Sequence, residues 1–233
     1  MNIESFIKKV ELLGIKVTKE NLADLNIYKD LLLEYNKKFN LTAIKTEEEI
    51  YLKHFYDSLT LVKGVDLTKN LKILDIGTGA GFPGLVLKIF YPELEITLLD
   101  SNHKKIMFLE QVIKRLNLKN ITCLNTRAEN LPSSYREYFD IVTSRAVAHL
   151  RILSELSIPY LKVNGKLIAM KGISETEIEE SEKILTELNS NILEVIKFNL
   201  PIEGSNRSLI IIEKEKETDK KYPRSYDKIM KNK

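Results

Sequence analysis

Four glycines, Gly77, Gly79, Gly81 and Gly84, fall within eight residues directly behind the apolar run "LKILDI". Glycine at that density marks backbone that turns through positive φ or lies against a ligand. The residues after it, "FPGLVLKIF", read as a helix with Pro83 in its first turn, a position that tolerates proline. A buried strand, a glycine elbow and a helix in that order open an α/β fold. In such folds the ligand lies beyond the carboxyl ends of the strands.

The rest of the chain fits this frame. Residues 1–63 read as a helical extension. In "NLADLNIYKDLLLEYNKKFN", Leu22, Leu25, Tyr28, Leu32, Tyr35 and Phe39 recur at three- and four-residue spacing. "TEEEIYLKHFYDSLTLVKG" begins with Thr46 as an expected N-cap and closes at Gly64. From 64 to 214, apolar runs alternate with helical patterns. "LEITLLD", "NITCLNT", "FDIVTSRAV" and "NGKLIAMKG" are strands, the last led by an Asn164-Gly165 turn. "NHKKIMFLEQVIKRLNL", a segment from about Leu150, and "SETEIEESEKILTELNS" are helices. "ILEVIKFNL" and "RSLIIIEKE" close the pattern as two strands joined by "PIEGSN". The expected fold is a mostly parallel, seven-stranded sheet flanked by helices, Rossmann-like, with an N-terminal helical extension. Residues 215–233 are a basic tail. From Lys214 onward eight Lys or Arg face four Asp or Glu, which suits either solvated disorder or an arm that touches phosphate.

The register of the glycines decides which ligand they serve. Gly79, Gly81 and Gly84 match G-x-G-x-x-G, the dinucleotide fingerprint, but that fingerprint wants its first glycine tight against the strand. Here the match starts two residues late, and its last glycine falls inside the helix. The acid expected about 20 residues further on would lie where the chain has "HKK". Read from the strand end instead, Asp75, Gly77, Gly79 and Gly81 spell D-x-G-x-G-x-G. This is similar to the first motif of class I methyltransferases that use S-adenosylmethionine. That cofactor has no pyrophosphate to cradle. It needs bare backbone beside its methionine and ribose, and a carboxylate near its cationic end. Asp100 ends the next strand, where this fold places an acid on the ribose hydroxyls. "NTRAEN", Asn125 to Asn130, follows the third strand, on the adenine side.

Composition narrows the classes further. Cys123 is the single cysteine, so the chain holds no internal disulfide and no cysteine-rich zinc site. No apolar run approaches the about 20 residues of a membrane span. The beginning "MNIESFIKKVELLG" lacks the apolar core of a signal peptide. A cytoplasmic protein is expected. Net charge is +3, permissive for an anionic partner and no more. The three histidines are scattered, and no metal site is expected.

Longer strings carry a closer resemblance: "NKKFNLTAI", "HFYDSL", "LDIGTGAGFPGLVLKI", "RAEN", "VTSRAVAHL", "NGKLIAMKG", "LPIEGSNRSLIII" and "KKYPR". Together they resemble the small-subunit ribosomal RNA guanine-N7 methyltransferases, the glucose-inhibited division protein B family, from about residue 22 to Arg224. Phe82-Pro83-Gly84 is the most specific part. The resemblance implies an enzyme that methylates N7 of one guanine in 16S ribosomal RNA with S-adenosylmethionine, within the small ribosomal subunit or its precursor. Oligomeric state is open at this level, with a monomer as the default expectation. Carried over position by position, cofactor contacts fall on Gly77, Phe82, Ala128, Glu129 and Arg145, beside the Asp75, Gly79, Gly81 and Asp100 of the elbow reading.

Guanine N7 has an in-plane lone pair and no proton, so this chemistry needs alignment and charge-tolerant acceptors rather than a general base. A splayed base in a loop is the accessible target, and arginine can stack on it or hold its phosphate. Arg145 at the end of the fourth strand, Arg127 after the third, and His54 are therefore the candidates at the reacting centre. His54, Asp57 and Ser58 share one helix face and either close over the cleft or hold the extension to the sheet. Asn40, Asp57, Ser58, Lys171, Arg207 and Arg224 are candidates for holding substrate RNA. Other readings stay open at this level: a class I methyltransferase acting on a small molecule or protein, a non-catalytic nucleotide- or RNA-binding module, and, more distantly, a nicotinamide enzyme.

Overall fold

The structure is a computed structural model that describes residues 1–145, 147–172 and 175–231. Among the described residues there are seven strands: β1 (Lys72–Ile76), β2 (Glu95–Leu99), β3 (Ile121–Leu124), β4 (Phe139–Arg145), β5 (Leu161–Lys171), β6 (Ser190–Asn199) and β7 (Asn206–Lys214). They form one sheet in the order β3-β2-β1-β4-β5-β7-β6. β1 to β5 pair in parallel, and β7 runs antiparallel to both β5 and β6. The mostly parallel sheet expected from the alternation is present.

Successive residues along each strand point to opposite faces, and both faces are buried. Ile73, Leu98, Ile141, Ile168 and Leu209 belong to one apolar cluster, while their neighbours Leu74, Leu99, Val142, Leu167 and Ile210 belong to the other. Double-sided burial explains why these strands read as unbroken apolar runs.

The first face is covered by α1 (Ile3–Glu11), α2 (Lys19–Phe39), α5 (Gly84–Phe90) and α6 (His103–Arg115). It is also covered by a continuous helical segment made of α3 (Glu47–Glu49), a π-helical stretch (Ile50–Tyr56), α4 (Asp57–Leu59) and a 3-10 turn (Thr60–Lys63). Caps set the starts. The side chains of Asn2, Thr18, Thr46 and Asn102 each accept a backbone N–H of the first turn, and Thr18 with Asn21 forms a reciprocal capping box. On α2, Leu25, Tyr28 and Leu32 are fully buried, and Leu22, Tyr35 and Phe39 are partly so. The extension thus shares one core with the sheet.

The second face is covered by α7 (Leu150–Ser157), α8 (Glu175–Glu179), α9 (Glu182–Glu187) and α10 (Tyr226–Lys231). Two local expectations need correcting here. The single helix read from "SETEIEESEKILTELNS" is two short ones, broken around Ser181, whose hydroxyl turns back to the Glu177 carbonyl. Asn164-Gly165 does not lead into β5 but lies within it. Asn164 has φ +67°, and the pairing with β4 slips between Phe139↔Leu161 and Ile141↔Lys166, as a bulge does.

The tail is anchored on the second face at a few points, although most of its described residues are exposed. Tyr222 and Ile229 are buried in the second cluster. Arg136 donates to the carbonyls of Thr218, Asp219 and Tyr222. Arg224 grips Glu155, which is fully buried, at 2.8 Å through Nε and 2.6 Å through Nη2. A buried carboxylate needs such a partner, and the guanidinium fork supplies two bonds at once.

Candidate functional site

A cleft opens at the carboxyl ends of β1, β2, β4 and β5, and is made of three adjoining compartments of about 470, 260 and 500 Å³. The first is the elbow compartment, walled by Gly77, Thr78, Gly79 and Phe82, with Asp100, Lys105 and Arg145 around it. The second lies past Asp100 and Ser101, between Leu99, Ala128, Glu129 and Arg127. The third, here called the acceptor compartment, holds Lys53, His54, Asp57, Arg145, Lys171 and Arg207.

The elbow is shaped from below by Asp75. Its carboxylate is fully buried, and Oδ2 accepts from Thr78 Oγ1 at 2.7 Å and from the Gly84 N–H at 2.8 Å. Oδ1 is buried with no hydrogen-bond partner among the described residues. Burial pushes this carboxyl up to about 6, against the pull of those two donors. Asp75 therefore ties the loop to the following helix and does not reach the cleft, contrary to the expectation that it faces the cofactor.

The glycines divide in the same way. Gly77 (φ +66°) and Gly79 (φ +63°) line the cleft. Gly81 lies beneath it, where a Cβ would sit 2.6 Å from the Tyr28 hydroxyl. Gly84 packs against Leu98 and Asp75, where a Cβ would come within 2.5 and 2.8 Å. Tyr28 also donates to the Ala80 carbonyl, so the N-terminal extension holds the loop from beneath.

Asp100 does face the cleft, between the elbow and second compartments. It accepts from the N–H groups of Gly79 and Asn102 at 3.0 and 2.8 Å, and Lys105 Nζ stands 3.5 Å away. A carboxylate offers about four acceptor positions, so it keeps capacity for a ligand hydroxyl. The helix cap is Asn102, not Asp100.

Arg145 is the centre of the acceptor side. Nη1 donates to the Lys53 carbonyl at 2.8 Å and to Asp57 Oδ2 at 3.2 Å, and Nη2 lies 3.1 Å from His54 Nδ1. Arg207 Nε donates to the other Asp57 oxygen at 3.1 Å. Asp57 is thus held between two guanidiniums, although burial still raises it above the usual carboxylate range. The partner of Arg145 is Asp57. Glu129 lies 3.7 Å from Arg127.

His54 is stacked on Phe82, with ring centroids 4.1 Å apart and planes 11° apart. A guanidinium only donates, so Nδ1 is an acceptor and the proton resides on Nε2, which donates to Thr42 Oγ1 at 2.9 Å. Burial first, and the Arg145 charge second, pull His54 down to about 3. It is a neutral ring with both nitrogens engaged. This has a consequence for stability. Between pH 6.5 and about 3 the unfolded chain binds a proton that the folded chain refuses. Stability therefore falls as pH falls through that window, by up to about 1.4 kcal/mol per unit. Thermal midpoints of the wild type should drop more steeply from pH 6.5 to about 5 than those of His54→Gln. Parallel curves would contradict the assignment.

Other expected residues sit elsewhere. Ser58 is fully buried and donates to the His54 carbonyl within its own helix, so it does not reach the cleft. Asn40 is exposed and caps α2 in the left-handed conformation, while the cleft wall is made by Leu41 and Thr42 just after it. Lys171 lines the acceptor compartment but is held by Glu177 and the Ala148 carbonyl. Arg127 lies in the second compartment, away from Arg145, with its guanidinium 5.3 Å over the Tyr226 ring. Arg224 is spent on Glu155. His103 is the exposed first residue of α6.

Leu41, Thr42, Lys53, Lys105, Val147 and Tyr226 were not expected at the cleft. Only Lys105 carried a legible signal, a cation one helical turn behind a strand-end acid. Among the described residues no group of three or more His, Cys, Asp or Glu could hold a metal ion, and no helix is long and apolar enough to cross a membrane.

Comparison with known proteins agrees with this geometry. The family model described as GidB, rRNA small subunit methyltransferase G, matches residues 21–209. A protein of Acetivibrio thermocellus named ribosomal RNA small subunit methyltransferase G is 46% identical over 221 residues, covering 94% of this chain and 91% of that protein. One of the same name from Bacillus subtilis is 44% identical over 227 residues, covering 96% and 95%. The solved structure of M. jannaschii TYW2 in complex with AdoMet overlays with a TM-score of 0.52 at 14% identity, over 63% of this chain and 70% of that one. That likeness is one of fold, the class I S-adenosylmethionine-dependent methyltransferase fold.

Proposed function

We propose, from the premise that this chain belongs to the rRNA small subunit methyltransferase G (GidB) family, that it transfers a methyl group from S-adenosylmethionine to N7 of one guanine in 16S ribosomal RNA. One observation carries the reading. His54 and Arg145 wall both the elbow compartment and the acceptor compartment, so a donor held in one and a base held in the other would meet beside these two residues.

The residues fit the cofactor. Gly77 and Gly79 leave backbone bare at the elbow, Asp100 has acceptor capacity for ribose hydroxyls, and Ala128 and Glu129 line the compartment suited to the nucleobase. Bound there, S-adenosylmethionine supplies an electrophilic methyl group on a sulfonium.

The acceptor side is arranged for a nucleophile that has no proton to lose. His54 is neutral with both nitrogens engaged, Asp57 is held by two arginines, and Glu177 accepts from Lys171 and the Leu150 N–H. An amine or hydroxyl acceptor would ask one of these groups to take a proton; guanine N7 does not. Arg145 is fixed by three partners and can align the base without rearranging. Asp57 and Glu177 offset the charges of Arg145, Arg207 and Lys171 along the wall where the methylated base becomes cationic.

RNA as the substrate follows from the family. Lys53, Arg145, Lys171 and Arg207 line the compartment, and each already holds a carboxylate: Lys53 holds Glu49 and Glu203, the two arginines share Asp57, and Lys171 holds Glu177. A phosphate would therefore compete with these internal partners for the same donors. The substrate is a splayed guanine in the small ribosomal subunit or its precursor. The chain acts on it as a monomer in the cytoplasm, without a metal. The test is incubation with labelled S-adenosylmethionine and small subunits, or their naked RNA, from a strain lacking the enzyme. Label in 16S RNA is expected. Label confined to protein or metabolites would transfer the reading to another methyl acceptor.

A further inference from the structure

We infer that the C-terminal segment is part of the cofactor site, with Tyr226 of α10 forming the aromatic wall of the nucleobase compartment. The inference rests on the cofactor reading above and assigns a role to a part of the chain beyond the family match, which ends at residue 209.

Three independent observations carry it. The first is position. Tyr226 lines the second compartment together with Leu99, Ala128, Val147 and Leu156. An apolar slot with one aromatic side and polar groups at its rim is what a planar nucleobase requires. The second is anchoring. Ile229 is fully buried one turn beyond Tyr226, and Arg151 Nη1 donates to its carbonyl at 3.2 Å. On the other side Arg224 grips the buried Glu155 through its backbone N–H and two side-chain nitrogens. The ring is therefore held from both flanks. The third is the link to the loop after β3. The Arg127 guanidinium lies 5.3 Å over the Tyr226 ring, and Arg127 directly precedes Ala128 and Glu129. A cation over an aromatic face fixes both partners, so the tail and the nucleobase loop set each other's position.

Arg224 is committed to an internal carboxylate, while the described lysines of the segment remain exposed. What the segment offers the cleft is a half-buried ring.

The test is calorimetric binding of two probes, S-adenosylhomocysteine and 5′-deoxy-5′-methylthioadenosine, which lacks the amino-acid half. Wild type, Tyr226→Ala, Tyr226→Leu and Tyr226→Phe are compared, with thermal melting of each. Losing an aromatic wall against a base should weaken both probes about ten-fold or more in the Ala and Leu variants. Tyr226→Phe keeps the ring and should bind within about two-fold of the wild type. In methyl transfer the KM for S-adenosylmethionine should rise by the same factor as the binding loss, with kcat and the KM for RNA unchanged. The Leu variant keeps apolar bulk on α10, so the comparison holds even where Ala loosens the helix.

Wild-type affinity for both probes in folded Tyr226→Leu would overturn the inference while leaving the methyltransferase reading intact. So would a loss confined to the KM for RNA, or a loss for S-adenosylhomocysteine alone. A wild-type protein that binds neither probe would overturn both.

Discussion

Replacing Gly79 by valine is expected to leave the protein folded and unable to hold its cofactor. A Cβ at Gly79 meets nothing closer than 3.9 Å, so the valine has room within the protein. Its cost is the left-handed backbone, φ +63°, worth about 1–2 kcal/mol for an L residue. That is a minor part of the about 5–15 kcal/mol that holds a domain together. The side chain would stand in the elbow compartment, which Gly79 lines. Affinity for S-adenosylhomocysteine should fall by about a hundred-fold or more, equivalent to about 2.7 kcal/mol, with a melting temperature close to wild type. Gly81→Val makes the contrast. Its Cβ would fall under 3.0 Å from Tyr28, Leu109 and Leu85, so it should lose stability first. Wild-type binding by Gly79→Val would remove the elbow from the site.

Arg145→Ala should cost both stability and turnover, because the residue belongs to both accounts. It is the shared wall of the elbow and acceptor compartments. It is also one of two cations on buried Asp57 and the donor to His54 and the Lys53 carbonyl. Breaking a buried pair typically costs about 3–5 kcal/mol. Arg207 remains on Asp57, so the lower end applies, a fall of about 6–12 °C in melting temperature for a chain of this size. Turnover on 16S RNA should fall further than lost folding explains, by about a hundred-fold or more. The double variant Arg145→Ala, Asp57→Asn separates the two effects. Removing the stranded charge should restore part of the stability and none of the turnover. A single variant that keeps its melting temperature would show that the network carries no structural weight.

What could be read from the sequence follows from how far its signals reach. Strand and helix order was legible because burial on both faces writes apolar runs and the elbow glycines punctuate them. The role of Asp100 as a cleft carboxylate was legible because it ends a strand at the side where ligands bind. The depth of Asp75 was not, because "DIG" looks the same whether its carboxylate faces a ligand or the loop beneath it. Arg145 and Asp57 are 88 residues apart, and no local pattern pairs them. The same holds for Arg224 and Glu155, 69 residues apart. Without that pair the basic composition of the tail suited either solvated disorder or an arm that touches phosphate. Thr42 and Tyr226 reach the cleft through the way whole helices pack, which periodicity does not encode.

Guanine N7, and no other atom, should be delivered by the acceptor compartment to a donor held at the glycine elbow. Nucleoside mass spectrometry of 16S RNA, after incubation of this protein with S-adenosylmethionine and subunits from a strain lacking the enzyme, tests this. 7-Methylguanosine is expected at a single position, approaching one per subunit, and none with Gly79→Val. A methyl group on an exocyclic amine or a ribose hydroxyl would contradict it, since those acceptors lose a proton and the described side chains that could take one, His54, Asp57 and Glu177, are already engaged; a methyl group on another base would contradict the alignment of guanine.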